Sequence, residues 1–324
     1  MRKNLVRSFL ALFVSASALT ATAQPAKPKD YVETAGFSLG INVGMTDLWG
    51  DVGTKSLLDH YTNDKYWDKP CFMGGIFGRY QAHPVLAARL SLNYGTLYAN
   101  DNWNKSKAEK AGSIEEDAYQ RYLRNQDARA NVWEGTFMLE FMPLRFNPES
   151  RNAMKKMQPY LLAGIGGFHF NPQSTLYDPV TGRRKWVNTA DLHLEGEGIT
   201  HEKATATYSR KTSLWQICVP VGLGLRWDIG RNLAFGVEYL YRFTGTDRLD
   251  NVSSQYPTDD YFDRHLAPEK AKVAKQIVDK SFEIEPSVER KPWAPRGNKE
   301  VLDGYSTISI NFIYKINTNK VPWW

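Results

Sequence analysis

The sequence predicts an all-β protein, one eight-stranded antiparallel transmembrane β-barrel with long extracellular loops and short periplasmic turns. Three observations lead to this fold class. Apolar residues alternate with polar or small residues over segments of about ten residues, which is the period of a strand. No segment has the roughly 18 consecutive apolar residues that a membrane helix needs. The connections between the strand segments alternate between short and long.

The clearest strand pattern runs from Ser213 to Phe243. Every second residue is apolar from Trp215 to Trp227 and again from Leu233 to Phe243, and the polar segment 228–232 separates the two runs. Period two predicts strands, and the spacing predicts a hairpin. Each arm has about the length that a tilted strand needs to cross a bilayer. A hairpin of a soluble sandwich would show the same alternation, so this stretch alone leaves both folds open.

The same alternation predicts six further strands. Pro220 lies inside one arm of the hairpin, where a missing N–H predicts a β-bulge. The chain ends in Trp323-Trp324, and an aromatic C-terminus after an amphipathic strand resembles the sorting signal of outer-membrane barrels. The six further strand segments are 37–46, 72–81, 86–98, 133–141, 159–170 and 306–316.

Loop lengths distinguish the barrel from the sandwich. Outer-membrane barrels have short periplasmic turns and long outer loops, whereas a sandwich has no reason to sort its connections. An even number of strands also places both chain ends on the periplasmic side. The short or moderate connections are 82–85, 142–158 and 228–232, and the long ones are 47–70, 99–130, 171–212 and 244–305.

The N-terminus predicts a secretory signal peptide over residues 1–23. A charged start, an apolar run and the small residues at 21–23 fit this class, with cleavage near Ala23/Gln24. A membrane anchor is disfavoured because the apolar run is short and contains Arg7. The predicted organisation is therefore a signal peptide, a short periplasmic segment over 24–35, and a multi-pass outer-membrane barrel over 36–324.

Charged residues on the predicted inward face balance acid against base. Eight strands enclose only enough room for side chains. Paired charges in such a space form a structural network, because an unpaired buried charge is costly. An ion path is the alternative. The inward charged set is Arg79, Arg89, Glu134, Glu140, Arg226, Glu238 and Arg242.

The sequence contains no motif that predicts chemistry. There is no GxSxG or HExxH, and the Asp-rich stretches 247–250 and 259–263 lack the spacing of an EF-hand. Cys71 and Cys218 are too few for a disulfide framework. The net charge of +6 includes no basic cluster interleaved with aromatic residues. We therefore expect no enzyme activity, no cofactor, no metal and no nucleic-acid partner.

Two segments of the long loops predict helices, 113–130 and 266–279, which we expect to pack on neighbouring loops. A helix that docks a partner is the alternative for both. The Asp/Asn/Ser run 247–254 predicts an ordered exit from the preceding strand. Its short polar side chains bond the local backbone.

Three loop patterns carry a resemblance to a known family. They are the segments 46–53, 192–198 and 238–256, which read TDLWGDVG, LHLEGEG and EYLYRFTGTDRLDNVSSQY. With the signal peptide and the barrel, these patterns resemble the PorG-type barrel proteins of the type IX secretion system. The residues that carry the resemblance in the loops are Asp47, Gly50, Asp51, Gly53, Glu195, Gly196, Gly198, Asp247, Asp250, Val252, Ser253 and Tyr256.

The resemblance implies a non-catalytic role in assembly and anchoring. It implies contact with outer-membrane lipid, and with the lipoprotein PorK and the ring protein PorN on the periplasmic side. Arg151, Lys155 and Lys156 in the turn 146–158 are the candidate periplasmic contacts, although a basic turn can also simply face solvent. The chain departs from the family in its longer loops and in Pro220. A surface-binding or adhesion barrel, or a narrow pore, remains an alternative function.

Overall fold

The computed structural model describes residues 36–54, 70–147, 157–178, 180–197, 213–229, 232–258, 260–288 and 290–316. The predicted signal peptide 1–23, the segment 24–35 and the terminal Trp323-Trp324 lie outside these residues. Among the helices that are described, none is long and apolar enough to cross a membrane.

Nine strands form one antiparallel sheet in the described part of the chain, and eight of them close into a ring. Each ring strand pairs with its neighbours in the chain, β1 pairs with β9, and β4 pairs with β5. The ring confirms the predicted eight-stranded barrel. The strands are β1 (Gly36–Trp49), β2 (Phe72–His83), β3 (Leu86–Asn100), β4 (Asp127–Phe141), β5 (Met157–Asp178), β6 (Arg183–Asn188), β7 (Trp215–Asp228), β8 (Leu233–Thr244) and β9 (Gly304–Lys315).

The sequence predicts a loop over 171–212 and therefore does not predict the strand β6. It pairs only with the far end of β5, from Gln173 to Asp178, and it takes no part in the ring. β5 has 22 residues and therefore continues well beyond the barrel. This end of the barrel carries the long connections, and we call it the loop end. The opposite end, with the connections 84–85 and 229–232, is the turn end.

The barrel is apolar outside and polar inside. Along β1 the alternate residues Phe37, Leu39, Ile41 and Val43 are more than half exposed. The inward positions of the neighbouring strands hold side chains that are almost fully buried, including all seven charged residues predicted to face the interior. A soluble β-sandwich would show the reverse distribution, so the surface is that of a barrel surrounded by lipid.

Two ion-pair networks fill the interior. In the first, the carboxylate of Glu140 lies between two guanidiniums, 2.6 Å from Arg79 Nε and 2.5 Å from the Arg89 side chain. Arg89 also pairs with Glu238 at 2.8 Å, and Tyr160 donates its hydroxyl to the same carboxylate. Each buried carboxylate thus has both charge and hydrogen-bond partners, as burial in a low dielectric requires.

The second network lies nearer the loop end. Arg242 Nε pairs with Glu134 Oε2 at 2.8 Å, and the Tyr305 hydroxyl donates to the same oxygen at 2.5 Å. Asn93 donates to the other carboxylate oxygen of Glu134. A cavity of about 10 Å³ is left in this region, enough for about one water molecule. The described interior is therefore packed.

The predicted bulge at Pro220 is wrong. The β7–β8 register is continuous through Pro220. On the other side, the β5–β7 pairing stops between Ala163 and Gly166 and resumes in the same register. Proline has no N–H to donate, so the ladder loses pairing locally without gaining an extra residue. A register irregularity occurs instead between β2 and β3, at Gln81 and His83.

Four short helices lie in the long loops of the described chain. The predicted helix 266–279 is confirmed as α4, and its residues Ala271, Ala274 and Ile277 are buried against other loop residues. The helix predicted over 113–130 is shorter because β4 already begins at Asp127. Cys71 and Cys218 are both free. The helices are α1 (Lys105–Ala108), α2 (Asp117–Arg124), α3 (Tyr261–His265) and α4 (Pro268–Val278).

Candidate functional site

The three loop patterns of the sequence meet at the loop end of the barrel. We call this region the outer loop cluster and define it as residues 47–54, 192–197 and 246–256, with Arg124 and Arg296. Most of its polar side chains are buried. The cluster brings together segments about 200 residues apart, so only the closed barrel places them side by side.

Glu195 is the central residue of the outer loop cluster. Its carboxylate accepts hydrogen bonds from the backbone N–H groups of Ser253 and Ser254, each at 2.8 Å. It also pairs with Arg296 at 2.8 Å and with Arg248 at 3.3 Å. Burial alone would raise the pKa of Glu195, but the two guanidiniums and the N–H donors hold that pKa below its usual value. The charged carboxylate therefore ties the second pattern to the third.

Asp250 ties the third pattern to the first. One carboxylate oxygen accepts from the Val52 N–H at 2.8 Å, and the other accepts from the Val252 N–H at 2.9 Å. The second of these bonds confirms that the run 247–254 bonds its own backbone. Gly50 lies against this carboxylate, because a Cβ there would come within 2.4 Å of Asp250 Oδ2 and 2.8 Å of Asp303 Oδ1. A side chain at position 50 would push the two loops apart.

The first pattern is held by arginines from other segments. Both Arg121 and Arg124 donate to the backbone carbonyl of Asp51. The Asp51 carboxylate accepts from the Asn298 N–H at 2.5 Å. Gly53 has a φ of +93°, in the region that favours glycine, and its N–H donates to a buried carboxylate, Asp101. This loop is thus fixed by its backbone as well as by its side chains.

The other residues of the patterns occupy structural positions. Val252 belongs to the apolar core beneath the cluster, and Tyr256 pairs with the segment 293–294 through its backbone. Gly196 has a φ of +80°. Asp47 is fully buried at the end of β1. Gly198 and the candidate periplasmic contacts Arg151, Lys155 and Lys156 lie outside the described residues, so those contacts stay predictions.

The carboxylates of the cluster differ in their electrostatics. Burial raises the pKa of Asp247 to about 8, and the neighbouring carboxylate of Asp250 adds to the effect. Burial also raises the pKa of Asp250, to about 6, with the charge of Asp51 contributing. Near pH 7 the cluster therefore combines the charged carboxylate of Glu195 with a carboxyl group, that of Asp247, which is mainly protonated.

Sequence reasoning missed the basic residues of the cluster. Arg124 pairs with Asp101 at 2.7 Å and donates to the carbonyl of Arg296. Arg296 in turn donates to the carbonyl of Asn251. Their segments show no motif, and the pairs span more than 20 residues, so no helix or strand spacing indicates them. The one available signal was the presence of acidic loop patterns, whose burial demands cationic partners.

A second buried pair attaches the helical loop to the barrel. Lys280 Nζ lies 2.5 Å from Asp127 Oδ1 and 2.9 Å from the hydroxyl of Ser174. Burial lowers the pKa of Lys280, although the carboxylate of Asp127 opposes this shift. The segment that follows α4 is thereby fixed to the first residue of β4 and to the outer part of β5.

A pocket of about 490 Å³ opens beside the outer loop cluster. Arginines and aromatic residues line it, together with the exposed apolar residues Val301 and Leu302. No group of three or more His, Cys, Asp or Glu residues in the described chain is arranged to hold a metal ion. The polar lining residues include Asp51, Asp117, Gln120, Arg121, Arg124, Arg290, Arg296 and Asn298, and the aromatic ones are Trp49, Tyr241 and Tyr256.

A family model described as "Outer membrane protein beta-barrel domain" matches residues 9–261. No curated protein matches the chain. Among solved structures, Ail of Yersinia pestis is 11% identical over 87% of this chain and 99% of its own, with a TM-score of 0.35.

Two other solved structures give matches of the same strength. Neisserial surface protein A is 11% identical over 88% of this chain and 100% of its own, with a TM-score of 0.35. A major outer membrane protein of Thermus thermophilus is 10% identical over 87% of this chain and 100% of its own, with a TM-score of 0.36. Structural similarity at this level gives no information about ligands or partners.

Proposed function

Because the chain belongs to the outer membrane protein beta-barrel domain family, we propose that it is a non-catalytic component of an envelope assembly. The proposed assembly is a protein secretion machinery, and the protein is most like the PorG-type barrels of type IX secretion. In this proposal the barrel spans the outer membrane and anchors a periplasmic ring made of a lipoprotein and a ring protein.

The observation that supports this proposal is the mutual contact of the three loop patterns. Glu195 of the second pattern holds the backbone of Ser253 in the third, and Asp250 of the third holds the backbone of Val52 in the first. The residues that carry the family resemblance therefore contact one another at the loop end. Their carboxylates are occupied by N–H groups and guanidiniums, which is the arrangement of a structural element.

The packed interior agrees with anchoring better than with conduction. The cavity between the two ion-pair networks has a volume of about 10 Å³. A permeant ion would have to displace arginines such as Arg89 and Arg242, each held by a buried carboxylate. Breaking such a buried pair costs about 3–5 kcal/mol.

The proposed partner surface is the turn end, where the basic turn 146–158 contains Arg151, Lys155 and Lys156. Isolated outer membranes would be crosslinked, the barrel purified, and the attached peptides identified by mass spectrometry. We expect ring lipoprotein peptides attached to this turn, and we expect Ala replacement of the three residues to remove them. The matched control replaces three exposed cations of the loop end, Arg183, Lys185 and Lys299.

Each alternative function has a distinct outcome in this design. Attachment of surface proteins or glycans to the loop 244–305, without ring peptides, would replace the assembly proposal by surface binding. Steady single-channel conductance of the purified barrel in planar bilayers would replace it by a pore. Deletion of the gene should also leave protein export defective if the proposal holds.

A further inference from the structure

The pocket beside the outer loop cluster has an apolar lower wall on the outward face of the barrel. Trp49 is the last residue of β1 and lies on the same face as the exposed Phe37 and Val43. Tyr241 of β8 contacts Trp49, with ring centroids 6.1 Å apart. Val301 and Leu302 continue this wall, and they are 50% and 41% exposed. The lower wall therefore faces the surroundings of the barrel.

The depth of this wall follows from the strand geometry. Trp49 follows Phe37 by twelve positions along β1. At about 3.3 Å per residue and a tilt of about 40°, Trp49 lies about 30 Å above Phe37 along the barrel axis. The apolar band of such barrels is about 25 Å tall. Trp49 and Tyr241 therefore lie just beyond the band, at the depth of the lipid headgroups.

The upper wall of the pocket is cationic. Four arginines and two aspartates line it, so its formal charge is +2. Arg121, Arg124 and Arg296 are engaged with backbone carbonyls of the outer loop cluster. Arg290 differs from them. Its Nη1 donates to Gln120 at 3.2 Å, and its Nε is buried with no hydrogen-bond partner among the described residues.

We propose that this pocket binds the phosphate-bearing headgroup of an outer-leaflet lipid. The guanidinium of Arg290 lines the pocket and has the planar shape that pairs with a phosphate, and Arg121 adds charge from α2. Trp49 and Tyr241 pack beneath the headgroup, where amphipathic aromatic side chains are favoured at a membrane interface. Val301 and Leu302 add apolar contacts beside the headgroup. A soluble anion such as inorganic phosphate has no apolar part that could contact this wall.

The proposal is tested with the full chain refolded in detergent micelles. Native mass spectrometry would measure the retention of dioleoyl phosphatidic acid, dioleoyl phosphatidylcholine and dioleoylglycerol, and a titration would measure the binding of inorganic phosphate. We expect phosphatidic acid to be retained preferentially. Arg290→Gln should weaken its binding roughly tenfold or more, the effect of losing a charge-assisted hydrogen bond. Arg183→Gln, an exposed arginine of β6, is the matched control and should leave binding unchanged.

A second variant keeps the test decisive if Arg290→Gln disturbs the loops. Asp117 lies on the pocket wall with its side chain 60% exposed, 3.0 Å from Arg121. Asp117→Asn removes a negative charge and should tighten phosphatidic acid binding. Equal retention of all three lipids would overturn the proposal. So would inorganic phosphate binding as tightly as the lipid, or an affinity that neither variant changes.

Discussion

Replacing Glu195 by Gln removes one negative charge from the outer loop cluster and keeps the shape of the side chain. The native carboxylate accepts from two backbone N–H groups and pairs with Arg296 and Arg248. In the variant, an NH₂ group replaces one carboxylate oxygen. This group is itself a donor, so it cannot accept the hydrogen bonds that the oxygen accepted. Both arginines are almost fully buried and lose this carboxylate partner.

The expected size of the effect follows from these contacts. Breaking a buried ion pair by removing one partner costs about 3–5 kcal/mol. The remaining amide oxygen still accepts one N–H bond, so we expect the lower end, about 3 kcal/mol. We expect this loss of free energy to make local opening of the outer loop cluster easier, while the barrel strands stay folded. A change of about 3 kcal/mol corresponds to a rise in amide exchange of roughly a hundredfold.

Hydrogen exchange followed by mass spectrometry measures this opening in peptides that cover 249–256 and 294–298. We expect the hundredfold rise there and no change in β7 or β8. The matched control is Glu300→Gln, because Glu300 is exposed and the variant removes the same charge near the same segment. If exchange in the cluster rose less than about threefold, the carboxylate would not be holding the two loops together.

Three further predictions concern pH, the interior and the outer surface. Burial raises the pKa of Asp247 from 3.8 to about 8, so the folded chain binds this proton more tightly than the unfolded chain. The protonated carboxyl group therefore contributes its full stability below pH 3.8, and this contribution is lost as the pH rises to about 8. Protection of 246–253, corrected for intrinsic exchange, should therefore fall from pH 5 to pH 8. Arg242→Met should cost about 3–5 kcal/mol of unfolding free energy in urea, and adding Glu134→Gln should recover part of it. Ile41→Arg, at an outward position of β1, should cost about 2–4 kcal/mol in the bilayer, whereas Ser106→Arg should cost almost nothing.

Each of these predictions has a result that contradicts it. Protection that falls equally in Asp247→Asn would show that another group titrates. A double variant at 134 and 242 that is as unstable as the sum of the single variants would show that the two residues do not act as a pair. An Ile41→Arg protein as stable as the native chain would place β1 outside the lipid.

The ring strands were predictable because lipid contact and interior packing impose opposite chemistry on alternate residues. The face toward the lipid is indicated by apolar residues such as Phe37, Ile41 and Trp227. The face toward the interior is indicated by charged residues such as Arg89 and Glu238. β6 gave no such signal. Its six residues, Arg183–Asn188, form a hairpin extension outside the barrel, where neither lipid nor a packed interior selects the residues. The pairing gap at Pro220 was also beyond sequence reasoning, since a missing donor fits either a bulge or an interruption.

The outer loop cluster was predictable only in part. Asp250 follows a local rule, because its carboxylate bonds the N–H of Val252 two residues later. Glu195 follows none, since its partners at Ser253 and Arg296 are 58 and 101 residues away. Such contacts depend on which loops the closed ring brings together. The pocket likewise combines residues of β1, α2, β8 and the segment 290–302, which no single stretch of sequence displays.

The packed interior also determines what each copy of the barrel brings to the membrane. Among the described residues, the Glu140 and Glu134 networks occupy the barrel interior, with a cavity of about 10 Å³ between them. Each copy of the barrel therefore takes up membrane area with a described interior of paired charges.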